Sequence, residues 1–159
     1  MRTRIVLPLA AIVLTLVGCG EGDGDETEVG ALSRTEFAQE ANALCREAAA
    51  DRRTVLSGVD PEAPGEETAE RLEEIVAVDR KLIRDVDDLV PPERVQDTID
   101  QLLDQWRDRV DLEEQVRDAT AVDDAAEMAQ LQVEVQQVDE RANQIAGGLL
   151  LNECTRGAD

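Results

Sequence analysis

Residues 128–149 read MAQLQVEVQQVDERANQIAGGL, and in them Met128, Leu131, Val135, Val138, Ala142, Ile145 and Leu149 follow one another at alternating steps of three and four. Those steps keep apolar side chains on one face of an α-helix, in the register of a helix that packs lengthwise against others. Gly147-Gly148 is the predicted break. A helix with such a stripe has to bury it, so companions are expected elsewhere in the chain.

They lie directly upstream. Val95, Ile99, Leu102, Trp106, Val110 and Val116 predict a third helix that starts after Pro91-Pro92 and fades near Thr120. No glycine or proline marks its end, so the turn is placed at Thr120 to Val122, with Thr120 and Asp123 as a capping pair. Leu72, Ile75, Val76, Leu82, Ile83, Val86 and Leu89 predict a second helix from about Glu66 to Leu89. The first opens at Ser33, with Glu36 completing a capping box, and carries Phe37, Ala41, Leu44, Ala48, Val55 and Val59 until Gly58, Pro61, Pro64 and Gly65 end it. Four such segments joined by short turns predict an all-α, antiparallel up-down-up-down four-helix bundle over residues 33–159. The first helix starts and the last one ends at the same end of that bundle, and the Gly147-Gly148 break lets Leu149 to Cys154 fold back beside the first helix.

The N-terminal segment has a different logic. Arg2 and Arg4 precede an uncharged run from Ile5 to Val17, then Gly18 and Cys19, which is the order of an export signal. The run is shorter than the roughly 20 apolar residues that span a bilayer, and Pro8 interrupts it. Leu16-Val17-Gly18-Cys19 resembles the lipobox of bacterial lipoproteins at all four positions. That resemblance implies a diacylglyceryl group on the Cys19 thiol, cleavage of residues 1–18, and a protein held at the cell membrane on its extracytoplasmic side. Two acyl chains suffice for stable anchoring. Residues 19–32, rich in glycine and acids, then read as a flexible tether.

With Cys19 committed to lipid, Cys45 and Cys154 remain, in a compartment where disulfides persist, and they are expected to pair. A second resemblance bears on the same residues. The opening S-R-T-E-F-A-Q-E-A-N-A-L-C of residues 33–45 and the closing G-L-L-L-N-E-C of residues 148–154 resemble small exported helical lipoproteins of actinobacteria. What it implies is a fold and a disulfide; it carries no activity.

The composition excludes several function classes. With 37 acidic and 16 basic residues the formal net charge is −21, and removing Arg2 and Arg4 with the signal lowers it by two, to −23. A nucleic-acid partner requires a basic face to displace counterions, so none is expected. Anionic headgroups repel the body, which leaves the lipid as its hold on the membrane. The chain has no histidine, which removes the usual general base and zinc ligand, and the acidic segment 20–32 lacks the ligand spacing of a calcium loop. No catalytic residue, metal or cofactor is expected.

One position breaks its own helical pattern. Asp79 lies amid Ile75, Val76, Leu82 and Ile83, where a lone carboxylate is costly. The bundle geometry puts it near the level of Trp106, Cys45 and Arg46. Either it accepts from the Trp106 indole or the Arg46 guanidinium and fixes helix register, or it forms the floor of a small ligand pocket. Arg52, among Ala48, Ala49, Val55 and Leu56, is a second such case, with Glu113 as its expected partner. The functional expectation is a non-catalytic interaction or scaffolding module facing an envelope protein; the alternative is a binding protein for a small cationic ligand or metal held by carboxylates. The first predicts an exposed apolar patch on one helix pair, the second an enclosed cavity with convergent carboxylates.

Overall fold

Four antiparallel helices follow in chain order: α1 (Arg34–Ser57), α2 (Gly65–Asp87), α3 (Glu93–Ala121) and α4 (Ala125–Gly148), with a short 3-10 turn at Asn152–Cys154. They belong to a computed structural model that describes residues 30–59 and 65–156. The lipobox with Cys19, the signal, nearly all of the tether and the Pro61 and Pro64 turn lie outside the described residues. Among those described, no helix is long and apolar enough to cross a membrane.

The helix starts follow their local chemistry. Ser33 accepts from the Glu36 amide while the Glu36 carboxylate accepts from the Ser33 amide at 3.0 Å, which is the expected capping box. The start of α4 is capped differently from expectation. Asp124 accepts from the Glu127 amide at 3.0 Å, and the Thr120 hydroxyl instead donates back to the Val116 carbonyl within α3.

Both ends of the last turn-to-turn passage share one device. At the end of α3 the Asp123 amide donates to Thr120 and the Asp124 amide to Ala119; at the end of α4 the Leu150 amide donates to Gly147 and the Leu151 amide to Ala146. Each is a Schellman closure that needs one residue in the left-handed region, here Asp123 (φ 54°) and Leu150 (φ 63°) rather than a glycine. Gly147 and Gly148, expected to break α4, form its final turn. Gly65 has the opposite fate: read as part of a breaker, it opens α2, and a Cβ there would overlap the Thr120 carbonyl oxygen. Only glycine lets α2 approach the α3–α4 turn so closely.

α2 packs along α3 and α3 along α4, with α1 against α2, while direct backbone contact between α1 and α4 is slight. The gap between α1 and α4 is filled by the C-terminal return. Leu149, Leu151 and Cys154 are buried there beside Phe37, Ala41 and Cys45, and Cys45 is disulfide-bonded to Cys154 across a sequence separation of 109. The three apolar residues of the opening motif and those of the closing motif therefore form one patch of core.

Candidate functional site

The return is clamped on two sides by asparagines, which decides where the Arg156 side chain goes. From α1, Asn42 donates to the Leu150 carbonyl at 2.9 Å and accepts from the Glu153 amide at 2.9 Å. From α4, Asn143 accepts from the Arg156 amide at 2.8 Å and donates to the Arg156 carbonyl at 2.7 Å. The Arg34 guanidinium donates to Gly148, satisfying one of the carbonyls left open at the end of α4. Between these clamps sits the disulfide. Arg156 is thereby aimed into the bundle.

Its target is Asp79, which is 2% exposed. Arg156 holds it bidentately, Nη2 to Oδ1 at 2.8 Å and Nη1 to Oδ2 at 3.1 Å, in the fork geometry that suits a carboxylate. Arg109 of α3 donates to Asp79 Oδ2 at 2.9 Å, and Arg52 of α1 donates to the same oxygen. Neither Trp106 nor Arg46, the expected donors, takes part. Trp106 is buried in the apolar core, and Arg46 is exposed with its nearest acid, Glu153, at 3.9 Å. The physical reason is length and direction: α1 places Arg52, not Arg46, over the Asp79 level, and the return supplies a guanidinium that no count along four straight helices includes.

Arg52 also reaches Glu113 at 3.4 Å, as expected, so the two anomalies of the sequence are one cluster. Arg109 joins it from below, 2.5 Å from Glu113 Oε1, and its Nε lies 2.8 Å from Asp139 Oδ1 of α4. That last pair attracts as charges but is misaligned for a hydrogen bond, so both atoms, like Glu113 Oε2, are buried without a hydrogen-bond partner. Three guanidiniums thus face three carboxyls drawn from every helix and the return.

The two central acids are pushed in opposite directions. Burial alone would raise Asp79, but Arg156, followed by Arg52, more than reverses this and holds it well below the usual carboxylate range. Burial raises Glu113 to about 7; Arg109 pulls it back, while the Asp79 charge adds to the push. Asp79 takes the negative charge because the bidentate partner faces it, and Glu113 carries the cost of being the next carboxyl along.

Over this cluster opens a cleft of about 400 Å³ between α1, the return and α4. Its charged lining is Arg52, Arg53, Arg109 and Arg156 against Asp139 and Glu153; its apolar wall is Leu82, Leu56, Ala48 and the disulfide. Asp79 lies behind the arginines, not on the cleft surface. The ligand-binding expectation was an enclosed cavity with convergent carboxylates; the structure has instead an open cleft on which guanidiniums converge. Among the described residues no group of three or more histidine, cysteine or acidic side chains is placed to hold a metal ion. The most exposed large apolar residues, Leu56, Val90, Val122, Val133 and Leu150, are spread over α1, two turns, α4 and the reversal, not over one helix pair.

Arg109 was within reach of sequence reasoning, being three residues from Trp106 and seven from Leu102 on the α3 face. Asp139 adjoins Val138 at the edge of the α4 stripe. Arg156 carried no signal. No protein-family model matches the chain, and no curated protein or solved structure matches it either.

Proposed function

We propose that the protein is a lipid-anchored, extracytoplasmic binding module without a catalytic role, which meets its partner through the cleft between α1 and the C-terminal return. The observation that carries this reading is the cleft itself: a concave surface with an apolar wall and converging charged donors, walled by a segment that a disulfide and two asparagine clamps keep in place. The Leu16 to Cys19 motif supports the anchor, and the Cys45–Cys154 bond suits a compartment in which disulfides persist. The absence of histidine from the sequence, together with a charged lining made mostly of guanidiniums, favours binding over proton transfer. A small cation held at the Asp79 layer is the weaker alternative, because the oxygens of Asp79 are occupied by three arginines.

Two measurements in intact cells test this. Cys19→Ser should leave an uncleaved precursor without diacylglycerol, detected by lipid labelling and membrane fractionation; normal processing of the variant sinks the anchor. A photo-reactive amino acid in place of Arg53, on the cleft rim, should give adducts that the same group in place of the exposed Gln137 of α4 does not. Equal labelling at both positions removes the cleft as the working surface.

A further inference from the structure

The cleft is a cationic surface on a strongly anionic body. Four arginines line it in a chain of net charge −21. Arg53 on its rim has no ion-pair partner among the described residues. Arg52 and Arg156 are each 20% exposed, and each spends two of its terminal nitrogens on acids behind it while the guanidinium carries five N–H donors. Arg109, 8% exposed, has an Nε without a hydrogen bond. Arg52 and Arg156 therefore keep N–H donors free at the cleft, where Asp79 and Glu113 lie behind them and Asp139 and Glu153 share the lining.

We propose that this cleft binds the carboxylate of a small organic acid with an apolar body, its head between Arg53 and the inner guanidiniums and its body against Leu82, Leu56 and the disulfide. The inference rests on the cleft being the working surface and adds the class of ligand. A monocarboxylate fits the count of charges. Asp79 and Asp139 balance two of the three inner guanidiniums, and the third is balanced by Glu113 only when Glu113 is ionised. Glu113 faces Arg52 and Arg109, with Asp79, Asp139 and Arg156 next around it, and its second oxygen is buried without a partner. An incoming carboxylate can supply that third charge from the solvent side, where it keeps part of its hydration, and Glu113 can then stay protonated. A cation would find two carboxylates, Asp139 and Glu153, on this lining against four guanidiniums. The volume of about 400 Å³ limits the ligand to the size of one or two amino-acid residues.

The test uses the full-length lipidated protein in neutral detergent, with N-acetyl-leucine as the acid and N-acetyl-leucinamide as its uncharged twin. Binding is followed through the backbone amide signals of Ala48, Ala49, Leu82 and Thr155. The acid is expected to shift these signals and to bind at least tenfold more tightly than the amide. Its affinity should fall several-fold from pH 6 to pH 8, because binding retains a proton on Glu113 while the ligand stays ionised throughout. Arg53→Gln should weaken the acid about tenfold with an unchanged melting temperature. The proposal is overturned if the acid leaves the cleft signals unmoved, if the amide binds as well, or if Arg53→Gln binds like wild type. A specific adduct at position 53 combined with any of these failures discards the ligand class and keeps the cleft; no specific adduct discards both.

Discussion

The layer around Val76, Leu102 and Leu103 and the layer around Asp79, Arg109 and Glu113 are neighbours on the same two helices, yet they are held by different physics. In the first, side chains that are 0 to 1% exposed fill space, and each is there because its own helix repeats apolar residues at the right step. In the second, a carboxylate that is 2% exposed survives because three guanidiniums from α1, α3 and the return converge on it. An apolar layer degrades gradually when one member is trimmed. An ionic layer loses a charge and leaves the others buried and unpaired, so its members stand or fall together.

The largest expected effect tests that contrast directly. Asp79→Ala should cost about 3–5 kcal/mol by chemical denaturation, because it strands buried guanidiniums. Asp79→Asn should cost nearly as much: an amide serves an indole donor, but it cannot neutralise arginines. Leu102→Ala should also cost about 2–5 kcal/mol, with no dependence on salt or pH. If Asp79→Asn is harmless, the two layers are not different in kind.

The disulfide ties the layers together. Replacing Cys45 and Cys154 by alanine should lower stability by about 5 kcal/mol on the chain-entropy account, seen as a lower melting temperature. Because the return carries Arg156, the cost of Arg156→Gln should shrink in the double-alanine background; additive costs would mean that the clamps of Asn42 and Asn143 hold the return alone. Non-reducing peptide mapping should recover the linked pair.

The smallest effect is a matter of pH. Glu113, raised to about 7 in the folded state from near 4.5, binds more protons folded than unfolded across that window. Its contribution is complete below about 4.5 and is lost as pH rises through about 7. Asp79, depressed, contributes above its unfolded pKa and loses that contribution only in strong acid. Glu113→Gln should therefore flatten the fall in stability between pH 5 and 8 by up to about 3 kcal/mol, measured against wild type at each pH. Matching slopes would place Glu113 outside the coupled layer.

How legible these layers are follows from the range of the interactions that build them. Ser33 and Glu36 declare the start of α1 because both partners of the capping box lie within one turn. The closures at Asp123 and Leu150 do not declare themselves, since the left-handed residue in each is one that ordinarily avoids it and is held there by its surroundings. Gly147 and Gly148 misdirected the reading by two residues for the same reason. Asp79 and Arg52 were visible as charges on apolar faces, but pairing them required knowing which side chains meet across helices.

By itself the sequence determined the four helices and their antiparallel order, because apolar repeats act through spacing along the chain; the pairing of Cys45 with Cys154 followed from it only once Cys19 was set aside for lipid. The sequence also placed the return beside α1; tertiary structure alone decided that Arg156 meets Asp79 across 77 positions and that the resulting cleft is lined by arginines in an acidic protein. Charge is a property of composition, but an electrostatic site is a property of distance, and at effective interior dielectrics those distances of about 3 Å outweigh the net charge of the whole body.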